Sequence, residues 1–176
     1  MTATIPDSKH PATANSLAWI SLDPFQDRFE LRAGRGSSPL ARLAISGLAF
    51  PSARVDTDRH RLFLTLKGVG NRQVAITDLT TETPVADFEW HRLGREGTLR
   101  LVEGGQLTWR RTSRWHQTFA FADRFGNMLL QFHSDGRAKL EPLLGSRDDL
   151  VLLLALGWFL LLSSGIAAPP KPRAMQ

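Results

Sequence analysis

The sequence predicts a mainly β protein, an antiparallel β-barrel of about 10–12 strands that encloses a hydrophobic C-terminal α-helix. Three observations predict this fold class. From Leu17 to Pro142 the apolar residues recur with a period of two, which is typical of half-buried strands. Turn-forming residues interrupt this pattern at short intervals. The chain then ends in an apolar run, residues 150–162, that contains no charged residue.

The strands follow from alternation along the chain. Residues 61–67 place three Leu side chains on one face, and residues 28–32 place Phe29 and Leu31 on one face and three charged residues on the other. The same alternation marks the ranges 85–90, 98–102, 107–111, 118–123 and 128–132. Residues 40–45 are compatible with a helix as well as a strand, so their assignment stays open.

Glycine-rich turns separate these runs. Residues 34–39, 68–71, 94–97 and 104–105 carry the strongest signals. Residues 123–127 suit a hairpin loop with Gly126 in a left-handed conformation, and Asp135-Gly136 is typical of a tight hairpin. Residues 118–141 are therefore predicted to form a three-stranded meander.

The apolar run is predicted to form a helix over residues 147–163. Ser146 is a suitable N-cap with Asp149 three residues later, and Gly165 is a suitable C-cap before Pro169. Thirteen helical residues span about 20 Å, whereas the hydrocarbon core of a bilayer is about 30 Å thick. The length favours a helix buried in protein. A C-terminal membrane anchor stays open, because the uncharged stretch extends to Ala168.

The apolar helix and the predicted number of strands are consistent with one barrel that has the helix in its lumen. About eight strands can fill a barrel interior with their own side chains, but about twelve leave a wider lumen. A helix about 10 Å across is a suitable filler. We therefore predict one domain over residues 16–166, with a disordered leader at 1–15 and a disordered tail at 167–176. The predicted core contacts of the helix are Leu150, Val151, Leu154, Trp158, Phe159 and Leu162.

Composition narrows the classes of function. The net charge is +5, and 18 of the 22 basic residues are Arg, which favours contact with anionic surfaces but is also typical of GC-rich genomes. The absence of Cys excludes disulfides, Cys zinc sites, Cys nucleophiles and Cys lipidation. Residues 1–15 lack the apolar segment of a secretory signal. We expect a cytoplasmic protein, either free, peripheral to the cytoplasmic membrane, or anchored in it.

The chain resembles the tubby-like, LURP-one-related and phospholipid scramblase superfamily. The resemblance lies in residues 114–132, RWHQTFAFADRFGNMLLQF, and in the terminal segment 148–162, and in outline it covers residues 17–165. It implies about twelve strands around a hydrophobic C-terminal helix, and phosphoinositide binding, lipid movement or a scaffold role. The calcium-binding segment and the palmitoylated cysteines of the scramblases have no counterpart here, and the tubby phosphoinositide Lys/Arg pair matches no defined position.

The densest basic and aromatic cluster is the candidate anion- or lipid-binding site. Guanidinium groups match phosphate oxygens, and Trp is common at membrane interfaces. The candidate residues are Trp109, Arg110, Arg111, Arg114 and Trp115. The alternative, which the pattern favours, is a hairpin with Trp109 packed inward and the Arg side chains solvated.

Other motifs are weaker. Asp56, Asp58 and His60 could place three ligands on one strand face, but a polar turn explains them as well. Residues 34–38 lack the Gly-Lys-Ser/Thr ending of a phosphate-binding loop, and a simple connecting loop is expected. Arg54, Arg59, His60 and Arg61 form a second basic patch. The sequence contains neither a Gly-x-Ser-x-Gly nucleophile elbow nor a His-Glu-x-x-His motif.

We therefore expect a non-catalytic barrel that binds anionic membrane lipid or another anionic ligand, with no cofactor and no metal. Specific nucleic-acid binding is not predicted, and no protein partner is identified. Two alternatives stay open, a β-domain anchored in the membrane by its C-terminus and an enzyme with an unrecognised active site.

Overall fold

Twelve antiparallel strands form a closed barrel, as predicted. The structure, a computed structural model, describes residues 16–23, 27–34, 36–47, 51–68, 70, 72–92, 95–113, 115–141 and 149–167. The first six strands are β1 (Ser16–Ser21), β2 (Arg28–Arg32), β3 (Ala41–Ser46), β4 (Ser52–Asp56), β5 (Arg61–Lys67) and β6 (Gln73–Asp78). The others are β7 (Thr83–Arg92), β8 (Glu96–Leu101), β9 (Gln106–Ser113), β10 (Thr118–Ala122), β11 (Met128–His133) and β12 (Arg137–Leu140).

Each strand pairs with the next along the chain, and β1 pairs with β12 to close the ring. Ser16 lies opposite Lys139 at this seam. The predicted meander is confirmed as β10, β11 and β12. The segment whose assignment was open is the strand β3, which pairs with both β2 and β4. Closure leaves no strand edge unpaired within the barrel, which removes a common route to aggregation.

Alternation along the strands builds the core. On β5 the side chains of Leu62, Leu64 and Leu66 are buried, while the residues between them are half-buried. The side chains of a strand point alternately to its two faces. Every second residue therefore lies on the same face, and each strand contributes one apolar row to the lumen. The predicted inward face of β2 is also confirmed, because Phe29 and Leu31 are fully buried.

The C-terminal helix, α1 (Leu150–Ser163), fills the lumen. Every residue from Leu152 to Leu161 is buried, and ten successive buried residues cover all faces of a helix. The helix is therefore enclosed by protein, which is the first of the two alternatives predicted for the apolar run. No helix in the described part of the chain has the length and apolar character needed to cross a membrane.

Direct contacts join α1 to strands on different sides of the seam. The ring of Trp158 meets Phe29 of β2 edge-on, with centroids 5.7 Å apart. A Cβ atom at Gly157 would lie 2.2 Å from Cζ of Phe132 on β11, so only glycine allows this approach. Among the predicted core contacts, Leu154, Trp158 and Phe159 are fully buried. The remaining three, at the helix ends, are half-buried and pack against the core, namely Leu150, Val151 and Leu162.

Within the described residues, the helix begins at Leu150. Asp149 is the N-cap, and its side chain makes no capping hydrogen bond. The predicted cap Ser146, the start at residue 147 and the leader at 1–15 lie outside the described residues, as do residues 168–176 of the predicted tail. Ala167, which was predicted to be the first residue of that tail, packs against the core instead.

The predicted end of the helix at residue 163 is confirmed. Gly165 has a φ of 65°, the left-handed conformation that favours glycine. Its N–H donates to the carbonyl of Leu162, and the N–H of Ile166 donates to that of Leu161, both at 3.0 Å. These two bonds form a Schellman motif, which satisfies carbonyls that the last turn would otherwise leave free.

A partly buried ion-pair network joins β2 to β3. Glu30 is only 6% exposed, and its carboxylate accepts hydrogen bonds from Arg32 at 2.6 Å and Arg42 at 3.2 Å. The hydrogen bonds from Arg32, followed by those from Arg42, hold the pKa of Glu30 below its ordinary value despite the opposing effect of burial. These ion pairs offset the free-energy cost of removing the Glu30 carboxylate from water.

The two ends of the barrel differ in the loops they carry. We use the name entry end for the end of the barrel at which the chain passes from β12 to α1, and exit end for the opposite end. Because the strands are antiparallel, the β4–β5, β6–β7, β8–β9 and β10–β11 turns share the entry end. The β5–β6, β7–β8 and β9–β10 connections share the exit end.

Candidate functional site

A groove of about 630 Å³ lies on β9, β10 and β11. We call it the Arg–His groove. It is lined by Arg110, Arg111, Thr112 and Ser113 of β9, His116 of the β9–β10 loop, Thr118 of β10, and Met128, Gln131 and His133 of β11. Its volume falls within the range of small-molecule sites.

Two long side chains that line the groove lie on either side of a small buried residue. Ala120 on β10 pairs with Arg110 on one side and with Gln131 on the other. Directly opposed residues in a sheet share a face, so the two long side chains stand on either side of a methyl group. Arg110 extends along β10 and donates from Nη2 to the carbonyl of Gly126 at 3.2 Å. This bond leaves other guanidinium N–H groups able to donate to a ligand.

A β-bulge brings a second arginine to the same groove. Phe119 lies opposite Arg111 and Thr118 lies opposite Ser113, so β9 has one extra residue, Thr112. Bulges interrupt alternation and re-aim side chains, which accounts for two consecutive arginines lining one groove. Arg111 is half-buried, donates from Nε to the carbonyl of Ser113 at 3.2 Å, and holds its guanidinium carbon 5.9 Å from the ring centroid of Phe119.

Local hydrogen bonds order the β9–β10 loop beside the groove. The N–H of His116 donates to the hydroxyl of Ser113 at 3.2 Å, and the hydroxyl of Thr112 donates to the carbonyl of Thr118 at the same distance. The side chain of Trp115, next to His116, is 94% exposed. A large apolar ring is thus held in solvent at the margin of a basic groove.

The described lining is basic and contains no carboxylate. Two arginines and two histidines contribute every titratable group among the described lining residues. The closest acidic residue by register is Glu96, which lies opposite Arg110 on β8 and forms no ion pair with it. The groove can therefore offer guanidinium and imidazole donors to an anion. Arginine forks bind phosphate or carboxylate in a bidentate manner.

Only some of the predicted site residues lie at the groove. Arg110 and Arg111 line the groove, and Trp115 lies beside it. Trp109 does not belong to a surface site, because its side chain is 1% exposed and stacks on Phe119 with ring centroids 5.4 Å apart. The inward position of Trp109 is the one given by the alternative interpretation, and it follows from strand alternation. Arg114 lies outside the described residues.

The groove also contains residues that the sequence did not identify. His133 and Gln131 enter because β11 pairs with β10 with Thr118 opposite His133. The turn is centred on Phe125, because Ala122 lies opposite Met128, but a β-bulge between Phe121 and Ala122 shifts the register so that Thr118 pairs with His133 and not with Phe132. A shift of one residue moves every side chain to the other face. The hairpin loop at 123–127 signals that the strands are neighbours, but it does not fix their register.

The other sequence candidates have simpler explanations. The carboxylate of Asp56 lies 3.2 Å from Arg54 and 3.8 Å from Arg61, which makes it part of a surface ion-pair group. Across the described residues, no group of three or more His, Asp or Glu side chains is placed to hold a metal. In the loop after β2, the hydroxyl of Ser37 donates to the carbonyl of Gly34 at 2.9 Å, as expected of a connecting turn.

Comparison of the chain with protein-family models, with curated proteins and with solved structures finds no match in any of the three.

Proposed function

We propose that the protein is a non-catalytic binding protein whose Arg–His groove holds a phosphate-bearing anion, in particular the headgroup of an anionic membrane phospholipid. One observation carries the proposal, namely that Arg110, Arg111, His116 and His133 line a single groove whose described lining has no carboxylate. Phosphate oxygens accept several hydrogen bonds at once, and guanidinium groups supply them in a matching geometry.

The position of Trp115 supports a membrane as the source of the phosphate. Trp side chains concentrate at the boundary between headgroups and acyl chains. Trp115 is 94% exposed and adjoins His116 in the chain, so both can meet the same surface. A bilayer would cover the exposed ring while its headgroup enters the groove. A soluble phosphate ester would use the groove alone.

We also propose that the chain belongs to the tubby-like superfamily that it resembles. The resemblance implies about twelve strands around a hydrophobic C-terminal helix, and the barrel has twelve strands around α1. This agreement in architecture supports the proposal, as does the basic groove. Fold alone does not establish a ligand, so the binding proposal depends on the groove.

Vesicle co-sedimentation tests the proposal. The full chain should bind vesicles of phosphatidylcholine with phosphatidylserine or phosphatidylinositol phosphate, and should bind pure phosphatidylcholine weakly. Each basic side chain near an anionic surface contributes about 1 kcal/mol. The double variant Arg110→Gln/Arg111→Gln should therefore lose about 2 kcal/mol, or about thirtyfold in partition coefficient.

A matched double variant separates the groove from net charge. Arg59→Gln/Arg61→Gln removes the same two charges from the second basic patch and should reduce binding by much less. Equal losses in the two double variants would contradict a localised site. An absence of preference for anionic vesicles would remove the lipid from the proposal.

A second titration identifies the source of the phosphate. Glycerol 3-phosphate, followed by NMR, should shift the backbone amides of the groove in the full chain. Trp115→Ala should weaken vesicle binding and leave the affinity for glycerol 3-phosphate unchanged. If Trp115→Ala leaves vesicle binding intact while the arginine variant abolishes the response to glycerol 3-phosphate, the ligand is a soluble phosphate ester.

A further inference from the structure

A second cavity, of about 770 Å³, lies at the entry end of the barrel. We call it the mouth pocket. The strand ends and turns from β5 to β8 form one wall, and the first turn of α1 forms the other. It lies on a different region of the molecule from the Arg–His groove, and the two share no described lining residue. Its volume is ample for a ligand of small-molecule size.

The walls of the mouth pocket are aliphatic. Leu62, Val85 and Leu101 line it from the barrel, and Val151 and Leu152 line it from the helix. No Phe, Trp or Tyr is present in the described lining. Binding sites for quaternary ammonium groups depend on aromatic faces, so this class of ligand does not fit. The walls suit an aliphatic chain.

The polar lining has the opposite charge to that of the Arg–His groove. Asp78, Glu103 and Asp149 contribute carboxylates, His60 is the one other titratable group, and the described lining includes neither Lys nor Arg. This composition is unexpected in a chain with a net charge of +5. Apolar walls with carboxylates complement a ligand that has an aliphatic body and a cationic group.

Asp78 is fixed in place and charged. Its Oδ1 accepts hydrogen bonds from the backbone N–H groups of Thr80 at 2.7 Å and Thr81 at 3.3 Å, and its Oδ2 lies 3.7 Å from Nδ1 of His60. The hydrogen bond from Thr80, opposed in some measure by burial, holds the pKa of Asp78 below its ordinary value. Its side chain is 13% exposed, so a cation paired with it is only partly screened by solvent.

We infer that the mouth pocket binds an amphipathic primary amine, with its ammonium group at Asp78 and Glu103 and its aliphatic chain between Val85, Leu101 and the first turn of α1. An ammonium group offers three N–H donors, which carboxylates accept in charge-assisted hydrogen bonds. The site is independent of the proposed function of the groove.

A titration of the full chain with n-octylammonium, followed by ¹⁵N NMR, tests the inference. Octan-1-ol and octanoate are the comparison probes, because they keep the chain and change only the head group. The amine should shift the amides of Thr81, Val102, Gly104 and Val151. A charge-assisted hydrogen bond contributes enough that the amine should bind at least about tenfold more tightly than the alcohol.

Variants locate the ammonium group. Asp78→Asn keeps an oxygen that can accept from Thr80 and Thr81 but removes the charge, and it should weaken the amine about tenfold. Glu103→Gln, on an exposed turn, provides a second loss of charge with little risk to folding. Glu82→Gln is the control, since Glu82 lies on the neighbouring β6–β7 turn and does not line the pocket.

Three outcomes would overturn the inference. The first is equal affinity for the amine and the alcohol, or no binding of either. The second is a set of shifted amides that lies away from the mouth pocket. The third is a loss with Glu82→Gln as large as the losses with Asp78→Asn and Glu103→Gln, which would indicate attraction to the surface charge of the entry end.

Discussion

Gly157→Ala should destabilise the protein, although the same change usually stabilises a helix. In an exposed helix, Ala is preferred to Gly by about 1 kcal/mol. At this position the new Cβ would lie 2.2 Å from Cζ of Phe132 and 2.6 Å from both Cε atoms. The ring is 1% exposed and packs against Trp109 and Phe121, with centroids 5.5 and 6.0 Å away, so it has little room to move.

The net effect follows from these opposing contributions. Overpacking a core costs about 1–3 kcal/mol, and so severe an overlap belongs at the upper end of that range. After the gain in helix propensity is subtracted, the free energy of unfolding should fall by about 2 kcal/mol. For a chain of this length, that corresponds to a decrease of about 4–8 °C in Tm. Urea and thermal unfolding followed by circular dichroism would measure both quantities.

Two further variants make the result specific. Gly34→Ala is the control, because no atom lies within 4 Å of its Cβ position and its φ is not in the left-handed region, so its effect should be small. Phe132→Leu combined with Gly157→Ala should cost less than the sum of the two single changes. If Gly157→Ala instead raises the stability by about 1 kcal/mol, the helix does not pack on β11 and the enclosed core is refuted.

Three other predictions follow from the same structure. Deletion of residues 149–176 should give an expanded, aggregating protein that binds hydrophobic dyes, whereas deletion of residues 168–176 should preserve cooperative unfolding. If the longer deletion gives a folded and more soluble protein, the helix is not internal. Glu30→Gln should lower the free energy of unfolding by about 1–3 kcal/mol at neutral pH, and this difference should shrink as the pH falls below about 4. A carboxylate whose pKa is lowered in the folded state stabilises the protein above its unfolded pKa, and this stabilisation is lost as the group protonates. A difference that stays constant with pH would show that the charge is not responsible. Replacing both His116 and His133 by Gln should weaken the binding of glycerol 3-phosphate in an NMR titration, because both imidazoles line the groove and can donate hydrogen bonds. An unchanged affinity would exclude both side chains from the site.

The barrel and its helix could be predicted because burial leaves a direct record in the sequence. Leu62, Leu64 and Leu66 alternate with less buried residues, and a run of ten buried helical residues needs apolar side chains on every face. The end of the helix could be located for a similar reason, since the left-handed conformation at residue 165 favours Gly.

The groove was only partly predictable, because it depends on register. Arg110 and Arg111 were identified from their local composition, but His133 joins them through the pairing of β10 with β11 and through the register shift between Phe121 and Ala122. Neither feature has a clear signal in the local pattern. The mouth pocket also depends on side chains from turns that are distant in sequence, and alternation carries no information about which turns meet.

Closing the ring through β1 and β12 has a consequence for kinetics. The seam joins the first strand to the twelfth, so its contacts have the greatest separation in sequence of any strand pair in the barrel, and α1 follows the strand that completes the seam. Contacts between distant regions of a chain slow folding, because the loop entropy is lost before the contacts form. We therefore expect the barrel to fold slowly for its length, which refolding rates measured after dilution from urea would test.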